Sequence, residues 1–341
     1  MWENKIRVVS LLMSLSLLAG CASAQASAGN TGPYVDQVAL EVVELEDEAV
    51  ALSEAPSAAV PNTVVAEGAE QAQTPGIVVA EATGKLVKKG NKAIIDYSNT
   101  SDGYVMVKFT ASTTKRLKTQ VQGPTTTYTY NIKQGEWTVF PLSDGNGNYQ
   151  FKVYENISGS KYTLVASVSQ KVTLKDEFAP FIRPNQFVNY DAASKTVAKA
   201  QELTKDMTDP LKKVEAVYDF VLHNLTYDKE KAATATSGYL PVLDSVLESK
   251  KGICFDYAAL MTGMLRSQGI PCKLVIGYAG TVYHAWISVW SETTGWIEGA
   301  VYFNGTAWQR MDPTYASTGQ QSEEIMKFIG DGTNYTVKYL Y

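Results

Sequence analysis

The most regular hydrophobic spacing in the chain falls between Cys254 and Gln268. There Ala258, Leu260, Met261, Met264 and Leu265 recur three and four residues apart. That period predicts a helix with one buried face. Gly252 offers a flexible break before it, Gly269 ends it, and Pro271 prevents its continuation. The apolar run from Lys273 to Tyr278 then predicts a buried strand, and YHAWISVW (283–290) alternates like a half-buried one. WQRMDPTY (308–315) predicts another strand that ends at Asp312, where Pro313 holds Asp312 in an extended backbone. Upstream the pattern predicts two helices. The second is well marked by Asp209 as N-cap, Pro210 at the first helical position, and apolar Leu211, Val214, Val217, Tyr218, Val221 and Leu222. A further short helix is expected near 241–249.

Between 84 and 175 the period changes from helical to alternating. Short runs appear at 92–97, 104–109, 125–132, 136–142, 149–156 and 161–172, separated by Asp102-Gly103, Gly123-Pro124, Asp144-Gly145-Asn146-Gly147 and Ser158-Gly159. Many short strands at such intervals predict an all-β sandwich of immunoglobulin-like type. Its exposed Thr and Tyr suit carbohydrate or peptide binding, but a spacer or packing module is the plainer reading, since fold alone does not fix function. Residues 176–185 read as an extended linker into the helical part. The expected organisation is 1–20 signal segment, 21–83 tether, 84–175 sandwich and 176–341 α+β domain.

Composition changes the picture mainly at the N-terminus. Lys5 and Arg7 precede an apolar run, Val8 to Leu18, which is well short of the ~20 residues a spanning helix needs. The run closes on Leu18-Ala19-Gly20-Cys21. That box resembles a bacterial lipoprotein signal, in which Cys21 becomes the lipidated first residue of the mature chain. The alternative is an ordinary secretory signal cut after Ala22 or Ala24; both predict export. No Lys or Arg occurs between Arg7 and Lys85, whereas ten acidic residues do, from Asp36 to Glu81. Such a stretch with few aromatic residues reads as a disordered acidic tether, with transient helix at most over 35–53. About 60 flexible residues span roughly 40–45 Å, enough to hold a folded body off a membrane. The net charge of −5 conceals a basic body, because from Lys85 onward 28 basic residues face 24 acidic ones. That excess suits acidic wall polymers and is too weak to imply nucleic acid.

The candidate chemistry lies in the helical part. Cys254 falls in the first turn of the predicted helix, where unpaired N–H groups and the helix dipole favour a thiolate. His284 follows 30 residues later and Asp312 another 28, a nucleophile, base and orienter in one chain order. Alone, Cys254 fits a buried structural thiol and Asp312 fits a turn residue before Pro313; the ordered set of three favours the catalytic reading. Together with the Gly269-Ile270-Pro271 turn and Met311-Asp312-Pro313-Thr314, the three motifs over roughly 190–315 resemble the transglutaminase-like superfamily. That resemblance implies a papain-like α+β core with a catalytic Cys at a helix start and His and Asp on following strands. It also implies that Tyr227, in the Tyr227-Asp228 step, lies near an oxyanion, with the Cys254 backbone N–H as the other donor. Larger members carry a Trp in that role.

The remaining candidates are structural. Cys272 is expected to be a buried thiol. It is not expected to pair with Cys254, because the helix between them is roughly 20 Å long and bridged Cα atoms lie only about 4.4–6.8 Å apart. Asp256 is expected to cap first-turn N–H groups, and His223 to sit on a helix surface. With two histidines in the chain, a zinc site is not expected, and the implied acyl-transfer chemistry requires neither a metal nor an organic cofactor. The thiolate attacks a carboxamide and the thioester passes to water or to an amine. The absence of calcium-binding loops and of further β-domains after the core tilts the expectation toward hydrolysis. Surface proteins and peptidoglycan peptides are the expected substrates of an exported, tethered enzyme. The rival expectation is a binding or structural module that only presents the same groove.

Overall fold

Alternation of apolar and polar positions builds two antiparallel sheets in the first half of the molecule. The computed structural model describes residues 42–45, 77–298, 301–303, 308–310, 312–318 and 332–341. In chain order the strands are β1 (Val42–Glu44), β2 (Val87–Lys89), β3 (Ala93–Asp96), β4 (Tyr104–Phe109), β5 (Leu117–Gln122), β6 (Thr127–Ile132), β7 (Trp137–Pro141), β8 (Gly147–Ser158) and β9 (Lys161–Val172). One sheet has the order β1-β9-β8-β5-β6 and the other β2-β3-β4-β7. Ile95, Val105 and Val107 of the smaller sheet share one apolar core with Val121, Phe151 and Val153 of the larger. Two sheet faces meeting in this way keep their outward positions for polar residues.

The tether expected over 21–83 needs correction at two places. Val42–Glu44 is a strand paired antiparallel with β9, not part of a helix. Residues 77–83 are packed as well. Ala80 is buried in a cluster with Tyr104 and Met106, and Asn99 Nδ2 donates to the Glu81 carbonyl at 2.8 Å. The folded body therefore begins before Gly84. The expected signal segment and Cys21 lie outside the described residues.

The linker is corrected too. Ala179–Phe181 forms a buried 3-10 turn instead of an extended tie. Arg183 beyond it stacks on the Tyr104 ring at 4.6 Å and donates to the Ala179 carbonyl at 2.7 Å. Aromatic contacts continue the join: Phe187 lies 5.8 Å from Tyr130 and 4.3 Å from Tyr341. The strand region and the helical region thus share a core.

The second half runs α1 (Lys195–Thr204), α2 (Pro210–Asn224), β10 (Thr226–Tyr227), α3 (Lys229–Thr234), α4 (Leu243–Ser249), β11 (Lys251–Gly252), α5 (Cys254–Ser267), β12 (Cys272–Ala279), β13 (Val282–Ser291), β14 (Gly295–Ile297), β15 (Val301–Phe303), β16 (Trp308–Arg310), α6 (Pro313–Thr318) and β17 (Tyr335–Leu340). As expected, the Asp209 carboxylate caps α2 by accepting from Leu211 N at 2.9 Å, with Pro210 in the first turn. α5 differs from expectation. Every residue from Phe255 to Ser267 is buried, so the helix is enclosed all round rather than on one face. It packs against α1, α2, α4 and the sheet β14-β13-β12-β17. A helix apolar on most sides is a core element. Only its first residue, Cys254, reaches solvent.

Candidate active site

Cys254 is positioned by what holds the start of α5. Ile253, the N-cap, has no side-chain acceptor, so the first turn is secured from within the helix. Asp256 folds back and accepts from Ile253 N at 2.9 Å through Oδ2. The same oxygen accepts from Lys231 Nζ at 2.7 Å, and Oδ1 accepts from the Tyr239 hydroxyl at 2.5 Å. Asp256 therefore caps the helix, as expected, and also ties α3 and the following loop to it. Gly252 is required for clearance: a Cβ there would stand 2.6 Å from the Asp256 Cβ. Because Asp256 takes the Ile253 N–H, it does not consume that of Cys254.

His284 comes from β13, where it pairs with Gly277 of β12. A Cβ on Gly277 would lie 2.8 Å from the Trp286 ring and 2.0 Å from the Thr336 carbonyl oxygen. Without one, Trp286 stays on the same strand face as His284, stacked at 6.1 Å and 22°. The strand expected to end at Asp312 is β16, which ends at Arg310; Asp312 lies just past it and precedes the short helix α6. Its Oδ1 accepts from Thr314 N at 3.0 Å, as a helix cap does. Its Oδ2 lies 2.5 Å from His284 Nε2 and 3.2 Å from the Tyr335 hydroxyl, which donates to it. Both His284 and Asp312 are buried.

The Cys254 side chain lies close enough to the imidazole to favour its protonated form. With Nε2 engaged by Asp312, the thiol side falls to Nδ1. Burial alone would push the His284 pKa down. The Asp312 carboxylate and the Cys254 sulfur more than reverse that, and it rises from 6.5 to about 10. Asp312 thus favours the protonated ring.

Cys254, His284 and Asp312 are thus brought together. Tyr227 is placed nearby, because β10 pairs in parallel with β11 and sets Tyr227 opposite Gly252, two residues before Cys254. His223 is exposed, and its Nδ1 lies 2.8 Å from the Asp219 carbonyl. Cys272 is buried at the far end of α5, and both thiols are free. Sequence reasoning missed Trp286 and Tyr335. Trp286 was legible, since i and i+2 share a strand face. Tyr335 carried no spacing signal.

Residues 197–313 match the core model of the transglutaminase-like superfamily. These residues form a transglutaminase-like core. The chain is 30% identical over 117 residues to the uncharacterized protein YebA of Bacillus subtilis (strain 168), covering 29% of this chain and 16% of that protein. It is 28% identical over 142 residues to a protein-glutamine gamma-glutamyltransferase of Pseudomonas aeruginosa, covering 37% and 19%. The matched stretch therefore spans less than a fifth of either relative. Among solved structures it resembles red sea bream transglutaminase, at 12% identity and TM-score 0.30, over 67% of this chain and 53% of that one. The likeness of residues 197–313 to the superfamily rests on the sequence matches.

Proposed function

We propose that the protein is an exported, cysteine-dependent acyl-transfer enzyme, anchored by lipid at Cys21 and acting on amide bonds of surface proteins or peptidoglycan peptides. The observation that carries the chemistry is the Cys254–His284–Asp312 linkage at the open end of α5. Cys254 is the nucleophile. Its thiolate attacks the carboxamide carbon, and the Cys254 N–H with Tyr227 steadies the oxyanion. His284 gives its proton to the leaving amine as the C–N bond breaks, and a thioester forms. Water then attacks, His284 takes its proton, and the thiolate departs. Asp312 holds the ring in the tautomer that this requires. Hydrolysis is favoured over amine transfer because Cys254 is half-exposed, which leaves a thioester carbonyl open to water. The sheet pair is read as an immunoglobulin-like sandwich that supports the core.

The test is mass spectrometry of the full chain after exposure to surface extracts, with and without a labelled primary amine. An acyl adduct on Cys254 is expected, released faster by water than by the amine. No adduct, or turnover that survives Cys254→Ala, would remove the enzyme reading in favour of a binding module. For the anchor, Cys21→Ser is expected to move the protein from the membrane fraction to the medium.

A further inference from the structure

The first turn of α5 places a buried carboxylate two residues from the thiol that the helix presents. Asp256 is fully buried, and the helix start depends on it, since it accepts from Ile253 N at 2.9 Å. A carboxylate held in the same turn as a nucleophilic sulfur opposes the thiolate, because like charges repel more strongly away from water.

The counter-charge comes from outside the helix. β10 and β11 set Tyr227 opposite Gly252, and Asp228 N donates to the Gly252 carbonyl at 2.9 Å. The chain then turns into α3, where the Asp228 carboxylate accepts from Lys231 N at 2.9 Å. Lys231 Nζ returns to α5 and meets Asp256 Oδ2 at 2.7 Å. It also lies 4.5 Å over the Tyr239 ring, whose hydroxyl donates to Asp256 Oδ1 at 2.5 Å. Both carboxylate oxygens are engaged, and Lys231 is the ionic partner of Asp256 among the described residues. With 29% of its side chain exposed, Lys231 brings charge to a buried group without itself leaving water altogether. The other titratable groups around this turn are His284 from β13 with Asp312 behind it, Tyr227 of β10, Asp228 at the α3 cap and Tyr257 of α5. Lys250 and Lys251, which precede the turn in the chain, are exposed.

We infer that Lys231 is a positioning residue for acyl transfer: it neutralises Asp256, so that this carboxylate fixes the start of α5 without repelling the Cys254 thiolate. The inference rests on the reading of Cys254 as nucleophile. It gives α3 a purpose, since the short stretch that follows Tyr227 carries the cation back to the helix that carries Cys254. A residue that merely ties α3 to α5 acts through structure alone. One that balances charge has an effect whose sign follows the charge.

Three variants of the full chain separate the two: Lys231→Met, Asp256→Asn, and both together. Asp256→Asn keeps the cap, because the remaining oxygen accepts from Ile253 N while the amide faces the Tyr239 oxygen. The readout is the pH at which iodoacetamide alkylation of Cys254 reaches half its plateau, by peptide mapping of protein shown to be folded by thermal unfolding. A unit charge at roughly 10 Å shifts such a midpoint by about one pH unit at an effective dielectric of about 20. Lys231→Met is expected to raise the midpoint by that much, Asp256→Asn to lower it, and the double variant to return it close to the unaltered value. Lys231→Arg, which keeps the charge, is expected to leave it in place. In turnover, the Lys231→Met loss is expected in kcat rather than KM, because Lys231 acts through Asp256. Midpoints that move in the same direction in both single variants, or in neither, overturn the inference. So does a double variant no better than Lys231→Met. Removing one partner of a buried pair is costly; should Lys231→Met fail to fold, the direction of Asp256→Asn and the position of the double variant decide. The expected pattern, combined with no turnover in the unaltered chain, upholds the charge balance at Cys254 and defeats the enzyme reading alone.

Discussion

Two cysteines stand at the two ends of the same enclosed helix, and their surroundings give them opposite chemistry. Cys254 opens α5 half-exposed, beside an imidazole that Asp312 keeps protonated. Cys272 follows the turn after α5, with its Sγ donating to Thr262 Oγ1 at 3.6 Å. Burial pushes its thiol up to about 11, despite the nearby Arg266 guanidinium that pulls the other way. That guanidinium is committed elsewhere: it donates to the carbonyls of Cys272, Arg183 and Tyr341 at 2.9, 2.8 and 2.7 Å. A cation near a thiol is therefore not sufficient for reactivity. Water access and a partner aimed at the sulfur decide it.

The sharpest break between the two ends is in turnover. Cys254→Ala is expected to abolish amide hydrolysis, and Cys272→Ala to leave kcat within a few-fold in protein that folds. Asp312→Asn keeps the helix cap but gives the imidazole the wrong tautomer; the corresponding change in the serine-protease triad costs about 10⁴ in kcat. Double variants within the three are expected to be little worse than singles, because the residues act as a unit. Near-normal activity in folded Asp312→Asn would make Asp312 only a helix cap.

Alkylation tests the same contrast without a substrate. At pH 6 a thiol titrating near 11 is about 10⁻⁵ thiolate, and Cys272 is shielded besides. Cys254 is expected to react with iodoacetamide more than about 100-fold faster, since the thiolate is the attacking species. Peptide mapping of the labelled chain reads the ratio. Comparable rates at the two sites would remove the distinction.

The ion pair also predicts how stability changes with pH. The His284 pKa is about 10 in the folded chain and near 6.5 when unfolded. Its contribution is thus fully present below about 6.5 and lost as pH rises through 10. The gap in urea stability between the unaltered chain and Asp312→Asn is expected to be widest near pH 6. By pH 10 to 10.5 it should narrow to the offset left by the Tyr335 bond. A gap that is flat with pH would mean that Asp312 stabilises through that neutral bond alone.

Much of the core was legible because its signals are local. The period of three and four, the Gly269 stop and the Asp209-Pro210 start each fix an element within a few residues, and β4 and β9 fall on the expected runs. What failed depended on long-range pairing. Val42–Glu44 looks like part of an acidic tether until β9 is set beside it. LKTQVQ, which is β5, alternates too weakly to be marked, yet lies between β8 and β6. Helix α5 shows one apolar stripe in sequence, but Thr262, Arg266 and Ser267 on its other sides are buried as well. Their polar atoms are satisfied by carbonyls, which composition does not reveal. The buried Ala80 carries a practical consequence. A chain begun at Gly84 uncovers Tyr104 and Met106 and is expected to lose about 1–2 kcal/mol, measurable as a lower melting temperature than one begun at Ile77. Identical melting would mean that 77–83 contributes no stability.

The smallest effect is expected at Tyr335, which touches the triad without reacting. Its hydroxyl donates to Asp312 Oδ2 at 3.2 Å, while its ring packs against Trp286 at 5.2 Å. Tyr335→Phe keeps the ring and removes the donor, so Asp312 retains His284 and Thr314. One lost hydrogen bond to a carboxylate that has other partners is worth about 1 kcal/mol, several-fold in rate. Since the bond orients the Asp312–His284 pair and does not contact substrate, the loss is expected in kcat with KM unchanged. Tyr335→Ala also removes the support of Trp286, which stacks on His284, and is expected to cost clearly more. A Tyr335→Phe loss equal to that of Tyr335→Ala would assign the whole effect to the hydroxyl. A change confined to KM would place Tyr335 in substrate binding instead, and Asp312 would then be held by His284 and Thr314 alone.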